Sequence, residues 1–362
     1  MSSNGLRVGV IGVGFGATVQ VPGFQSEGVD VVALCSQREE RVQQAAAVLN
    51  VPHVYTDYLK LIERDDLDAV SIVTPPAFHH EMVMAALRAG KHVLCEKPFA
   101  MDAAQAKEMR DAARERGLTA MIAHEFRFSP QRAYVRDLLD EGYVGAVRMV
   151  SMEMLFGFAS GRGPRPMAWG SQASMGGGLL GALGSHYIDA LRHWCGELTG
   201  VGGKLVTLLP ERVDEATGQS AVSDADDAFS LTASLAGGGI ATLTASMALA
   251  VPQGVRLSVH GDRGALLTPQ PGPNPPPEGI VYGAKAGEAF AELPMPEHYL
   301  PFADARDLRL LPFRLLVREF AKGVQGGTSP SPNFDDGYRC QQVLDAVRES
   351  SATGRWVEVP RE

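Results

Sequence analysis

Leu6-Arg7-Val8-Gly9-Val10-Ile11-Gly12-Val13-Gly14-Phe15-Gly16-Ala17 is an apolar, β-branched run followed by glycines at alternate positions and then a small residue. The spacing predicts a strand, a tight turn and a helix, which is the order a dinucleotide-binding loop needs. Gly12 permits the turn, Gly14 lets the backbone approach a pyrophosphate, and Ala17 allows the helix to pack closely. The helix N-terminus then directs free N–H groups at the anion. A glycine-rich turn in some other α/β fold is the plain alternative, but strand, glycines and the units that follow all agree on a dinucleotide held by Gly12, Val13, Gly14, Phe15 and Gly16.

Outward from this start, Leu6–Ile11, Asp30–Cys35, Ala69–Val73, His92–Cys95 and Ala120–Ala123 read as strands. Between them Arg38–Leu49, Phe78–Ala89 and Ala103–Arg116 carry apolar residues at helical spacing, with Asp102 as an N-cap. Such alternation implies right-handed crossovers and a doubly wound parallel sheet, a Rossmann domain over residues 1–124. Past Gly145 the pattern changes to β-rich stretches: Ala146–Leu155, Lys204–Leu209, Phe229–Leu235, Ile240–Ala248 and Arg256–His260. Gly237-Gly238-Gly239 signals a hairpin. The fold class expected is α/β plus α+β, with residues 125–362 built on a large open, mostly antiparallel sheet. Helices are expected around His186–Cys195, from near Leu311 and over Gly337–Ser350, with a last strand at Trp356–Val359. The polar stretch Glu211–Asp227 and the proline-rich stretch Pro269–Glu278 read as surface loops.

Composition narrows the partners. With 362 residues, 45% hydrophobic and 21% charged, the chain is ordinary for two globular domains, and a net charge of -9 argues against nucleic acid or an anionic membrane. No apolar run is long enough for a membrane span, no signal peptide is evident, and four scattered cysteines suggest reduced thiols, so a cytoplasmic location and a small-molecule partner are expected. The nine histidines lack metal-ligand spacing, and no metal is expected.

Cofactor choice turns on Cys35-Ser36-Gln37-Arg38, at the end of the second strand. An acidic residue there would hold the ribose hydroxyls of NAD; instead Ser36 and Arg38, flanking Gln37, could bind a 2′-phosphate, which favours NADP over NAD. Arg38 as a solvated helix residue is the alternative. Thr74, Pro75, Pro76 and His79 at one strand end, and Glu96 and Lys97 at the next, occupy the carboxyl edge where ligands bind in such sheets.

Together with Ala89-Gly90-Lys91-His92-Val93-Leu94-Cys95-Glu96-Lys97-Pro98, the anchors Phe126-Arg127-Phe128, Gly176-Gly177-Gly178, Gly184 with His186 and Asp189, and Asp336-Gly337 resemble the Gfo/Idh/MocA family of oxidoreductases over nearly the whole chain. The resemblance implies NAD(P)-linked oxidation or reduction of sugars and cyclitols, with homodimers or homotetramers formed through the large sheet. It implies that Lys97 and His186 are catalytic. Substrate contacts are expected from Lys97, His186 and Arg127, the last on a family motif, and from Trp169 in a loop over the cleft.

One position departs from the family. The run Gly176-Gly177-Gly178-Leu179-Leu180-Gly181-Ala182-Leu183-Gly184-Ser185-His186 has alanine where relatives commonly carry aspartate. Lys97 and His186 could suffice, with Ser185 or a substrate hydroxyl relaying the proton; Asp189 could support the histidine; or catalysis could be lost, leaving a dinucleotide or sugar sensor. A redox-neutral enzyme that modifies glycosides on a tightly bound dinucleotide is the remaining alternative to a dehydrogenase or reductase.

Overall fold

The structure, a computed structural model, describes residues 5–157, 163, 165–270 and 279–360. Its packing divides the chain into two units, Met1–Phe128 with Phe302–Gln341, and Ser129–Pro301 with Gln342–Glu362.

The first unit holds a six-stranded parallel sheet in the order β3-β2-β1-β4-β5-β6. The strands are β1 (Arg7–Ile11), β2 (Asp30–Cys35), β3 (His53–Tyr55), β4 (Ala69–Ile72), β5 (His92–Cys95) and β6 (Ala120–Ile122). Their helices are α1 (Val21–Ser26), α2 (Glu39–Leu49), α3 (Tyr58–Ile62), α4 (His79–Arg88) and α5 (Ala103–Arg116). Every residue of β4 is buried, as befits a central strand covered on both faces, which is why its sequence runs apolar without alternating. Asp102 caps α5 by accepting from the Gln105 amide at 2.8 Å.

One face of the sheet carries a core of Ile72, Leu87, Val93, Met109 and Ile122. The other carries Val10, Val19, Phe24, Val31 and Leu94, and it is completed by α8 (Leu310–Gly326) through Phe313, Leu316 and Phe320. The Phe24 and Phe313 rings meet edge to face with centroids 5.5 Å apart. The sequence expectation placed everything after residue 124 in the second domain; the apolar stripe of α8 packs with the first unit instead. The pattern of α8 shows that the stripe must be buried, but not where, because most of the second unit, Ser129–Pro301, separates it from α1 in sequence.

The second unit is organised by a nine-stranded mixed sheet, β17-β16-β15-β14-β7-β13-β12-β9-β18. In chain order the unit has α6 (Pro130–Asp140), β7 (Val147–Leu155), β8 (Arg165–Pro166), α7 (Ser185–Cys195), β9 (Leu198–Val206), β10 (Glu211–Val213), β11 (Ser220–Val222), β12 (Ala228–Leu235), β13 (Ile240–Ser246), β14 (Gly254–Gly261), β15 (Gly264–Gln270), β16 (Tyr282–Lys285), β17 (Ala291–Glu292) and β18 (Val357–Glu358). Only the β13–β7 pairing within this sheet is parallel. Alternation sorts the faces: Val150, Met152 and Met154 of β7 are buried while Met149 is exposed. The expected glycine hairpin joins β12 to β13.

The stretch Glu211–Asp227 is more than a surface loop. It contributes β10 and β11 to a three-stranded sheet with β8. Three-residue strands hold too few alternations to stand out in sequence. Of the proline-rich stretch, residues 271–278 lie outside the described residues. The long helix α9 (Phe334–Thr353) contributes to both units. Its Ser350 and Ser351 hydroxyls accept from the Gly203 and Leu205 amides of β9, each at 2.9 Å, beside the two residues that pair with β18. No helix among the described residues is long and apolar enough to cross a membrane.

Candidate active site

In the first unit the glycine loop leaves β1 and turns at Gly12, whose φ of 112° and closeness to β4 both exclude a side chain: a Cβ there would lie 2.4 Å from the Val73 carbonyl oxygen. The Gly12 amide donates to the Cys35 carbonyl at 2.8 Å and the Val73 amide to the Ile11 carbonyl at 2.8 Å, which ties the ends of β1, β2 and β4 together. Gly14 differs, since its Cβ direction meets nothing within 4 Å. That open approach, next to the N-terminus of the helical segment starting at Gly16, fits a pyrophosphate. The segment begins as one wide π-helical turn, Gly16–Gln20, before α1. Phe15 is half-buried, with the Arg309 guanidinium 5.2 Å from its ring centroid.

At the end of β2, Ser36 is half-buried and Gln37 and Arg38 are exposed. The Ser36 hydroxyl accepts from the Arg38 amide at 3.4 Å. No carboxylate occupies residues 35–38, and the first acids, Glu39 and Glu40, lie in the first turn of α2.

At the end of β4, Pro75 and Pro76 open a single 3-10 turn into α4, and the Thr74 hydroxyl lies 3.6 Å from the Met82 sulfur. His79 stands apart from the other expected cofactor contacts. Its ring is fully buried, with Nε2 2.8 Å from the Thr74 carbonyl and Nδ1 3.2 Å from the Phe99 carbonyl. Burial holds its pKa below the ordinary histidine value against the pull of those carbonyls. The ring braces the loops after β4 and β5 from beneath, a role that proximity in sequence to Thr74 did not distinguish from ligand contact.

Beyond β5 come Glu96 and Lys97. The Glu96 carboxylate is buried, accepting from Gln20 Nε2 at 2.7 Å and from the Lys97 amide at 3.2 Å. Burial pushes this carboxyl above the usual carboxylate range, while the Lys97 charge and the Gln20 hydrogen bond oppose the rise. Lys97 itself is half-buried. Gln20 was not singled out in the sequence; a lone glutamine in a helical turn carries no signal.

Arg127 has partners of its own. It donates from Nη1 to Ser331 Oγ at 2.6 Å and from Nη2 to Asp336 Oδ1 at 2.9 Å. This buried pair joins two stretches that the family resemblance had singled out separately, and it gives Arg127 a structural partner where a substrate contact was expected.

In the second unit His186 is the second residue of α7, buried, with Asp189 buried one turn later. The helix is entered through a second wide turn, Leu180–Gly184, which presents Ala182 at the surface. Such turns insert an extra residue into the helix ladder and recur at functional sites. Asp226 fixes the entry: its Oδ2 accepts from the Leu180 amide at 2.8 Å and its backbone carbonyl accepts from the Leu179 amide at 2.8 Å. Gly178 is required beneath it, because a Cβ there would lie 2.2 Å from Asp226 Oδ1. Burial pushes the Asp226 carboxyl above its usual range, opposed by these hydrogen bonds and by Arg348. Trp169 is 42% exposed, in a short turn whose Gly170 carbonyl accepts from the Gly178 amide at 3.1 Å. The unit therefore brings Trp169 to the start of the His186 helix. Tyr187 is buried, with the Arg132 guanidinium 4.5 Å from its ring centroid, and serves the core. Asp226 was missed because its loop was read only as polar surface.

A six-stranded Rossmann sheet with an open glycine loop and a lysine at the carboxyl edge, joined in one chain to a large mixed sheet, defines an NAD-binding oxidoreductase. Residues 6–124 match the oxidoreductase family with NAD-binding Rossmann fold, and residues 133–267 match the Gfo/Idh/MocA C-terminal domain. The chain belongs to the Gfo/Idh/MocA oxidoreductase family. It is 26% identical to levoglucosan dehydrogenase of Pseudarthrobacter phenanthrenivorans, over 89% of this chain and 87% of the relative. It is 27% identical to D-glucoside 3-dehydrogenase of Escherichia coli, over 99% of each chain. The solved structure of levoglucosan dehydrogenase in complex with NADH and L-sorbose superposes with a TM-score of 0.88 at 25% identity, covering 98% of this chain and 99% of that one.

Proposed function

We propose that this oxidoreductase moves a hydride between NAD(P) and a secondary hydroxyl or keto group of a sugar, sugar derivative or cyclitol. The observation that carries the reading is the open approach at Gly14 after β1 combined with Lys97 at the same edge of the sheet, after β5, next to a buried carboxylate. The relatives named above, two dehydrogenases of sugars, support the substrate class. When bound, the dinucleotide supplies the hydride acceptor or donor.

The chain's own residues supply the rest. Gly12, Val13, Gly14, Phe15 and Gly16 bind the pyrophosphate, with Thr74, Pro75 and Pro76 along the adjoining strand end. Lys97 donates to the reacting oxygen and stabilises the charge that develops there. His186 takes the hydroxyl proton, because an imidazole exchanges protons near neutral pH. Trp169 offers an aromatic face to the sugar ring. Ala182 cannot take part in proton transfer, so the pair Lys97 and His186 serves without the aspartate that relatives commonly carry. Ser36 and Arg38 favour NADP over NAD, because no acid at the strand end claims the ribose hydroxyls and a guanidinium accepts a 2′-phosphate. The enzyme works in the cytoplasm as a homodimer or homotetramer formed through the large sheet.

A panel of sugars and cyclitols followed by the near-ultraviolet absorbance of reduced nicotinamide tests the function. Net change in NAD(P)H that disappears in Lys97→Ala supports it. Product formed without net change identifies a redox-neutral enzyme. Binding of NADPH and sugar with no product in any case identifies a sensor.

A further inference from the structure

Gln20 lies on the wide turn that follows the glycine loop, with no exposed surface. Its Nε2 donates to Glu96 Oε1 at 2.7 Å, and its Oε1 accepts from the Ser71 hydroxyl at 2.5 Å. Ser71, also without exposed surface, stands on β4, and Glu96 follows β5. One amide thus joins the dinucleotide-binding turn, the central strand and the residue next to Lys97.

We infer that Gln20 is a positioning residue for the reaction: held between Ser71 and Glu96, its amide fixes the Glu96 carboxyl beside Lys97 in either protonation state. With Glu96 ionised, the amide NH2 donates to the carboxylate and the serine hydroxyl donates to the amide oxygen. If Glu96 gains a proton on Oε1, the amide turns over. Its oxygen then accepts from the carboxylic acid and its NH2 donates to Ser71 Oγ. Both contacts of the amide survive, so it strands neither its own oxygen nor the carboxyl, which matters because each stranded atom would cost more than an ordinary hydrogen bond contributes. Lys97 is next to Glu96, the Cys95 thiol donates to the Glu96 carbonyl at 3.4 Å, and the wide turn and β4 offer only the neutral Gln20 and Ser71. On the β6 side the Ala123 amide donates to the Cys95 carbonyl at 2.8 Å, and the titratable His124 and Glu125, both buried, follow directly. A side chain of similar size without the amide leaves the carboxylate short of a donor.

The inference rests on the reading of Lys97 as catalytic, so its test has one arm that needs no turnover. In the NADH-bound protein, the carbonyl band of protonated Glu96 is followed against pH in infrared difference spectra, with Glu96→Gln identifying the band. Gln20→Met should move its midpoint up by about one pH unit, the margin by which a hydrogen bond to the carboxylate exceeds the one the amide keeps with the neutral acid. Ser71→Ala should move it the same way by less, and it carries the test if Gln20→Met does not fold. NADH should bind both variants within about threefold of wild type, a difference under 1 kcal/mol. The kcat–pH profile, measured with the best sugar of the panel, should shift in parallel. An unmoved band in the folded variants overturns the inference, and so does a moved band with an unmoved kcat profile. If the wild-type protein turns over no sugar, the functional reading fails and the infrared arm alone decides the link between Gln20 and Glu96.

Discussion

Arg127 and Asp336 stand 209 positions apart in the chain and share one ion pair, Nη2 to Oδ1 at 2.9 Å, with only 5% of the arginine side chain exposed. Ser331 completes the cluster by donating to Asp336 Oδ2 at 2.7 Å, and the Asn333 amide adds a further hydrogen bond at 2.9 Å. Within the first unit, the pair fastens the turn after β6 to the start of α9.

Removing one partner should therefore cost stability more than chemistry. Arg127→Met takes a cation away from a largely buried carboxylate and is expected to lower unfolding free energy by about 3 to 5 kcal/mol, measured by urea denaturation. Burial alone would raise the Asp336 pKa, but the Arg127 charge and the hydrogen bonds from Asn333 and Ser331 outweigh it and hold the carboxyl down at about 2. Because the folded value lies below the unfolded one of about 3.9, this stabilisation is complete above about pH 4 and is lost as pH falls toward 2. In Arg127→Met, stability should fall less steeply across that window. An equally steep fall would show that other carboxylates dominate acid unfolding.

The two glycines of the loop separate folding from binding. Gly12→Ala forces a side chain onto the Val73 carbonyl at a φ of 112° and should destabilise the protein by at least about 2 kcal/mol. The Cβ that Gly14→Val adds meets no protein atom within 4 Å, and the variant should fold normally. Its cost should appear in NADH affinity, expected to drop by about a hundredfold. Fluorescence titration and thermal melts on the same samples compare the two directly, and normal NADH binding by Gly14→Val would place the pyrophosphate elsewhere.

Arg38 is exposed at the N-terminal end of α2, where a 2′-phosphate would lie. Arg38→Ala should weaken NADPH binding by about tenfold, one charge-assisted contact, and leave NADH within about twofold. Equal losses for both cofactors would remove the case for NADP.

Asp226 holds the entry to the His186 helix at the cost of burying a carboxylate, and two substitutions divide those effects. Asp226→Ala loses the hydrogen bond to the Leu180 amide and should destabilise by about 1 kcal/mol while lowering kcat. Asp226→Asn keeps an acceptor and should be at least as stable as wild type at neutral pH. Burial raises the folded pKa above the unfolded one, so the native protein loses stability as pH climbs through the range between them, and asparagine has no such loss. Thermal melts at pH 4 and pH 7 check the sign.

The sequence was most legible where structure is local. The strand, turn and helix around Gly12 declare themselves because each requirement is met by a neighbour in the chain. Lys97 could be placed at a strand end from the β5 pattern alone. His79 and Arg127 show the limit. Both sit in or beside motifs, and the partners that orient their side chains, Phe99 and Asp336, are not revealed by the local pattern. The docking of α8 on the first unit and the reach of Asp226 to Leu180 were hidden for the same reason: they are contacts between distant segments, and amphipathic spacing says that a face is buried without saying against what.

The nine-stranded sheet ends at both edges in strands of two residues, Ala291–Glu292 and Val357–Glu358, and next to the second edge the serines of α9 already occupy amides of β9. Long unpaired ladders invite further strands and uncontrolled growth into fibres; short margins bearing a glutamate and filled by hydroxyls do not. Copies of this chain are thereby steered away from rim-to-rim stacking.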